Sequence, residues 1–232
     1  MRGARGAQSE PAANIGDWML PVPDALPPDS LDTARTRIFA FEPVPATRSL
    51  LARNIGAHAR RALVSIEDRA PPGEAQMTTF GAEAGTHTLR ALADPVGRSS
   101  GVVTEKVTTL AEFAVERGLA HFDLIKIDTE GFDRLVLEGA RPLLSAEKIS
   151  VAQFEYNHRW VATRSFLKDV FDMLEDLPYT VVRLMPDRVE VLDSWHPELE
   201  RFFEANYAVV HRAALERLDV HCGRFDASNT YA

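Results

Sequence analysis

Apolar positions along this chain fall into two alternating spacings. Short apolar or alternating runs recur between stretches in which apolar residues lie three and four apart, the signature of strands separated by helices. Arg37 to Phe41 is a short apolar strand with IFAF at its core, ending in Glu42-Pro43. Pro45 to Asn54 reads as a helix with Leu50 and Leu51 inward and Gly56 past its end, and Arg61 to Ile66 as the next strand. Thr109-Leu110-Ala111-Glu112 fits a capping box for a helix ending at Gly118. Within the strand Phe122 to Asp128, Leu124, Ile125 and Ile127 form a nearly continuous apolar run, expected where both faces are covered. From Phe132 the spacing becomes helical, through Leu135, Val136, Leu143 and Leu144, with Gly139 as a stop or irregularity. Ile149 to Tyr156 is a further strand, and Phe166, Val170, Phe171 and Leu174 form a helical stripe before Pro178. Tyr179 to Met185 and Val189 to Leu192 are strands flanking the turn at Pro186-Asp187. A short helix, Pro197 to Ala205, then leads into the strand Tyr207 to His211.

The breaks in this pattern set the organisation. Met1 to Ser9 has no strand or helix pattern, so a first strand there is missing or degenerate, and Pro21 to Ser30 carries four prolines. Glu67 to Lys106 is long and dotted with Gly and Pro. It is expected to hold two short strands, Ala75 to Phe80 and Val102 to Val107, around a mobile loop that acts as a lid or substrate-contact segment. One domain is expected over residues 10–218, between a disordered or degenerate stretch at 1–9 and a loose polar tail at 219–232. Strand, helix, strand, helix through most of the chain predicts an α/β fold: a doubly wound, mostly parallel sheet with an antiparallel strand at its C-terminal edge.

Composition narrows the function classes. The chain has 232 residues, 45% of them hydrophobic, enough for one α/β domain with a substantial core. A formal net charge of −8, with no dense Lys/Arg block, argues against nucleic acid as a partner. The single cysteine, Cys222, cannot form an internal disulfide, and no Cys/His spacing resembles a zinc site. Apolar runs are too short to span a bilayer, and Met1 to Ser9 lacks the apolar core of a secretory signal. The expectation is a soluble cytoplasmic protein with no membrane partner; the sequence does not fix its oligomeric state.

Three strand ends carry acids: Glu42, Asp128 and Glu155. In open α/β sheets, ligands lie beyond the carboxyl ends of the strands, and an acid ending the second strand commonly accepts hydrogen bonds from ribose hydroxyls. Glu42 suits that role; the plainer alternative is a solvated strand-end Glu. Asp128 and Glu130 are candidates for contacts to a cofactor, a metal or a substrate hydroxyl. Their plainer role is to compensate the dipole of the helix that follows. Lys126 stands two residues before Asp128, on the same strand face, and needs a partner such as Asp128 or Glu155. Glu10 to Trp18 resembles a cofactor loop of the kind that uses glycine for close backbone approach, with Gly16 alone remaining. Asp128, Glu130 and Glu155, in that order, are candidate bases for a substrate hydroxyl, and His158 is a fourth, with a lone surface histidine as the alternative. Trp160 offers either a ring for stacking on a sugar or a buried core ring. No spacing requires a metal.

The order and spacing of these segments resemble FkbM-type S-adenosylmethionine-dependent methyltransferases. The residues that carry the resemblance are Ala13-Asn14-Ile15-Gly16-Asp17-Trp18, Phe41-Glu42-Pro43, Val107 to Leu110, Leu124 to Gly131, Leu137-Glu138-Gly139-Ala140 and Phe154-Glu155. The resemblance implies a Rossmann-like methyltransferase fold that transfers a methyl group to an oxygen of a sugar, glycan or polyketide-type natural product. It implies S-adenosylmethionine as cofactor, with Glu42 holding the ribose and Asn14 and Gly16 against the amino-acid end. Asp128 and Glu130 would face the methyl-transfer region, with Glu155 beside them. The family's first loop commonly reads Asp-x-Gly-Ala-Asn, where this chain has Glu10, Pro11, Ala12, Ala13 and Asn14. A truncated or non-catalytic binding module is the main alternative. A metal-dependent phosphoryl-transfer enzyme is a weaker one, because no phosphate-cradling glycine loop is present.

Overall fold

The computed structural model of the chain describes residues 36–42, 44–70, 76–79, 101–104, 106–217 and 222–225. These fall into two units, one of residues up to Val107 and one from Thr108 onward. The expected first strand, the loop Glu10 to Trp18, the proline-rich stretch and the lid loop all lie outside the described residues.

In the first unit, strand β1 (Ile38–Phe41) leads through helix α1 (Pro45–Ala57) to strand β2 (Val64–Glu67). Pro45 opens α1, where its fixed φ is already helical and its missing N–H costs nothing. Leu51 and Ile55 bury against Ile38, Ala40, Val64 and Ile66. That packing carries α1 through Gly56, which was expected to lie past its end; an interior Gly costs only about 1 kcal/mol. β1 and β2 pair in parallel, from Ile38 with Val64 to Phe41 with Glu67. Arg61–Leu63 is a single 3-10 turn before β2, shorter than the strand expected from Arg61. β3 (Arg69–Ala70) pairs in parallel with β6 (Lys106–Val107), and β4 (Gln76–Thr79) antiparallel with β5 (Gly101–Thr104).

The second unit opens with helix α2 (Leu110–Arg117), whose capping box forms as read from sequence. The Thr109 hydroxyl accepts from the Glu112 N–H at 3.0 Å, while the Glu112 carboxylate accepts from the Thr109 N–H at 2.9 Å. Gly118 ends the helix in the left-handed region at φ 60°, where an L side chain is disfavoured. Next come β7 (Phe122–Ile127), α3 (Asp133–Gly139), α4 (Arg141–Ser145), β8 (Ile149–Tyr156), α5 (Leu167–Leu174), β9 (Tyr179–Leu184), β10 (Val189–Leu192), β11 (Ala205–His211), α6 (Arg212–Leu215) and β12 (Cys222–Arg224).

Among the described residues, one sheet runs in the order β12-β10-β9-β11-β8-β7. The pairs β7–β8 and β10–β12 are parallel, whereas β8–β11, β9–β11 and β9–β10 are antiparallel. The expectation of a mostly parallel sheet is therefore corrected for this unit. The tight turn at Pro186-Asp187 can join only antiparallel strands, whereas the helical crossover α3–α4 permits the parallel pair. The expected antiparallel edge is also corrected: β11 lies between β8 and β9, not at the margin. Because both neighbours run against β11, β8 and β9 point the same way.

Side chains alternate across the sheet. Val181 and Val209 join the main core with Phe154, Leu137 and Val170, while Val182, Ala208 and Val210 pack on the opposite face with Ala214 of α6. β7 ends the described order, and Leu124 is 47% exposed, so the expectation that both faces of this strand are covered fails at that residue. The expected helix from Pro197 to Ala205 is one 3-10 turn, Pro197–Leu199, because Phe202 adopts φ 56° and cannot continue a right-handed helix. The tail expected to be loose supplies β12, paired with Val189–Val191. No helix among the described residues is long and apolar enough to cross a membrane.

Glu200 ties this irregular segment to the core. Its carboxylate accepts from the Tyr156 hydroxyl at 2.7 Å, the Leu167 and Lys168 N–H groups at 2.7 and 3.2 Å, and Trp195 Nε1 at 2.9 Å. It thus satisfies the first orphan donors of α5. Glu200→Ala is expected to cost about 3 kcal/mol, because hydrogen bonds to a charged acceptor are lost and the buried Tyr156 donor is left unpaired. The midpoint of denaturant unfolding should fall accordingly, and a midpoint unchanged from wild type would refute the hub role.

Candidate active site

β7 ends at Ile127, and the chain turns into α3 within the five residues Asp128 to Phe132. Lys126 and Asp128 share a face of the strand, and Nζ lies 2.5 Å from Oδ2, with the side chains 11% and 9% exposed. The satisfied pair anticipated from the sequence thus forms and occupies one Asp128 oxygen. The other, Oδ1, is buried without a hydrogen-bond partner among the described residues.

The turn itself is unusual. Glu130 sits at φ 55° and Gly131 at φ 100°. A Cβ built on Gly131 would come within 2.8 Å of the Arg159 carbonyl oxygen, so only glycine fits there. The Asp133 carboxylate closes the turn, Oδ2 accepting from Thr129 Oγ1 at 3.2 Å and from the Gly131 N–H at 3.3 Å. Asp133 Oδ1, like Asp128 Oδ1, is buried and unpartnered among the described residues. Glu130 is itself buried, and Arg159 Nε lies 2.9 Å from its Oε2. The ion pair is close, yet its N–H does not align on that oxygen, which makes no hydrogen bond among the described residues.

Glu155, near the end of β8, completes the cluster. Burial pushes the Glu130 carboxyl up to about 8, aided by Asp128, Glu155 and Asp133 and opposed by Arg159. Burial also raises Glu155 to about 7, with Asp128, Glu204 and Asp133 reinforcing the shift and Arg159 again opposing it. Asp133 rises to about 6, chiefly through burial and then Asp128, against hydrogen bonds that favour its charged form. A set of carboxyls that hold protons near neutral pH is suited to exchange a proton with a bound hydroxyl.

Asp128, Glu130 and Glu155 are therefore brought into one electrostatic cluster. His158 is exposed, and Trp160 is fully buried, its ring packed on Phe154 and Tyr156 and its Nε1 donating to the Glu155 carbonyl at 2.9 Å. The core alternative for Trp160 is the one realised. In the first unit Glu42 is buried beyond the end of β1, where its Oε1 accepts from the Val44 N–H at 2.8 Å. Glu10, Asn14 and Gly16 lie outside the described residues.

Sequence reasoning passed over Asp133, Arg159 and Glu67. Glu67 ends β2 as a buried acid, and its carbonyl accepts from the Glu42 N–H at 3.1 Å; the strand-end logic applied to Glu42 would have found it. Among the described residues no cluster of His, Cys, Asp and Glu has the arrangement of a metal site.

Two outcomes follow from this geometry. Gly131→Ala forces a Cβ into the Arg159 backbone at a left-handed position, and is expected to lower stability by about 2 kcal/mol or more in denaturant unfolding; wild-type stability would refute the close approach. The raised carboxyls also fix a pH dependence. Between about 4.5 and about 8 the folded chain keeps a Glu130 proton that the unfolded chain has released, so stability falls as pH rises through that window. Glu155 and Asp133 act in the same direction. Glu190, held below its ordinary value by Arg183 and Arg188 in spite of burial, adds an opposite slope only under more acid conditions. The unfolding midpoint should drop between about pH 5 and about pH 8, and Glu130→Gln should flatten that slope. An equal slope in the variant would show that Glu130 does not carry it.

Searches of curated proteins and of solved structures returned no match. A family profile described as "Methyltransferase FkbM domain" matches residues 12–181, well over half of the chain. The match spans the turn from β7 into α3 and the end of β8, the segments that carry the carboxylate cluster. The chain belongs to the FkbM methyltransferase family.

Proposed function

We propose that the chain is an S-adenosylmethionine-dependent O-methyltransferase that acts in the cytoplasm on a hydroxyl of a sugar, a glycan or a natural product. The family membership supports methyl transfer, and one observation carries the choice of a hydroxyl. Asp128 Oδ1 is a buried acceptor atom without a hydrogen-bond partner among the described residues, and Glu130 Oε2 faces only the unaligned Arg159 Nε at 2.9 Å, at the strand end where α/β sheets bind ligands. A hydroxyl is the donor such oxygens lack.

Two parallel pairs, β1–β2 across α1 and β7–β8 across α3–α4, support a Rossmann-like arrangement of the class I methyltransferase type, over a domain spanning residues 10–218. Glu42 suits the cofactor ribose. Its carboxylate is buried beyond a strand end and one oxygen is pinned by the Val44 N–H, a preset acceptor for a vicinal diol. Glu10, Asn14 and Gly16 would meet the amino-acid end. When bound, S-adenosylmethionine supplies an activated methyl on a good leaving group, so the protein's task is alignment and exclusion of water.

Glu130 or Glu155 accepts the hydroxyl proton as the oxygen attacks, a contribution of roughly 10²–10⁴-fold. Asp128, paired to Lys126, orients the hydroxyl through Oδ1. Methyl transfer should therefore rise with pH through about 7 to 8 as these carboxyls ionise.

Calorimetric titration with S-adenosylmethionine tests the cofactor. Wild type is expected to bind, and Glu42→Ala to bind at least tenfold more weakly, about 1.4 kcal/mol. The first-loop sequence Glu10-Pro11-Ala12-Ala13, with alanine where the family has glycine, favours a second reading as a non-catalytic binding module. Absence of binding by a well-folded wild-type chain would support that reading instead.

A further inference from the structure

We propose that Arg159 is a positioning residue: the turn His158–Thr163 that carries it holds Glu130, in the turn after β7, and Glu155, near the end of β8, in one fixed relation, with its guanidinium set against Glu130. This rests on the reading of Glu130 and Glu155 as the proton-accepting pair.

Both sides of the turn are fastened. Towards the loop after β7, the Thr163 hydroxyl donates to the Gly131 carbonyl at 2.9 Å, and the Arg159 carbonyl lies against the Gly131 Cα where any Cβ would collide. Towards β8, Trp160 Nε1 donates to the Glu155 carbonyl at 2.9 Å, and the Arg159 N–H donates to Asn157 Oδ1 at 2.8 Å. Asn157 and Trp160 are fully buried, so this end of the turn is built into the core. A third fastening runs through Ser165, whose Oγ lies 3.0 Å from Thr163 Oγ1 and accepts from Arg134 Nε of α3 at 3.0 Å. The two carboxylates thus keep their relation because one turn grips the backbone beside each.

Arg159 Nε lies 2.9 Å from Glu130 Oε2, and the side chain is 31% exposed. Its charge opposes the raised proton affinity of both Glu130 and Glu155. The other charges facing the pair are Asp128, with its Lys126 partner, Asp133 and, towards Glu155, Glu204. Among these Arg159 is the cation that acts on both members.

Carboxyl titration of the full chain by carbon-13 NMR, with nitrogen-15 on arginine, tests this without cofactor or acceptor. In wild type the Arg159 Nε resonance is expected to follow the Glu130 midpoint near 8. In Arg159→Gln Glu130 should titrate higher, by roughly one pH unit or more, with Glu155 moving less in the same direction, and Arg159→Lys should return both towards wild type. A structural role alone would not move these midpoints while the amide spectrum stays folded. An Arg159 Nε resonance indifferent to the Glu130 titration would overturn the proposal, a measurement that stands even if Arg159→Gln does not fold. Unchanged midpoints in a folded Arg159→Gln would overturn it as well. Failure of methyl transfer would leave these titrations untouched, so the two readings fail separately.

Discussion

The second unit depends on the contact of two backbones at Gly131. The carbonyl of Arg159 occupies the space a side chain would take, and the turn that carries Glu130 is built around that approach. It allows Thr163 to reach the Gly131 carbonyl and sets Arg159 against Glu130. It also requires the two successive left-handed residues, Glu130 and Gly131. Glycine accepts that geometry freely, whereas glutamate does so at a cost that the surrounding contacts must offset. Strain of this kind at a strand end is where function tends to be kept, and here it coincides with buried acids that hold protons near neutral pH.

Burial is what sets the acids apart. Asp128 has a lysine partner 2.5 Å from one of its oxygens. Glu130, Glu155 and Asp133 are desolvated with one guanidinium nearby, and they repel one another. Removing charge by taking up protons is the cheapest relief for such a group. The same residues that weaken the folded state at high pH are thus the ones equipped to trade protons with a ligand.

Much of this was legible in the sequence. β8 and β10 have the bounds read from their alternating apolar pattern, and the Thr109 capping box and Gly118 stop fix α2 at both ends. The strand-end positions of Asp128 and Glu155 followed from the same periodicity. What escaped was long-range or conformational. Phe202 looks helix-compatible by residue type, but a left-handed φ and the capture of Glu200 by four donors break the helix expected there. β12 is three residues long and carries no periodicity to detect. Arg159 reads as an ordinary surface arginine until the fold brings it beside a residue 29 positions earlier. The antiparallel content was half visible, since the Pro186-Asp187 turn announced one hairpin, but the insertion of β11 between β8 and β9 has no local signature.

That insertion has a consequence for how the protein is made. β11 comes late in the chain, yet it fills the space between strands that precede it by about fifty and about twenty residues. Until Ala205–His211 leaves the ribosome, β8 and β9 each present an open row of backbone donors and acceptors, and open rows invite pairing with other chains. Contacts of such long sequence separation also close slowly. A nascent chain paused before Ala205 would hold its carboxylate cluster on an unfinished sheet, so completion of the sheet waits on the last part of the chain to be made.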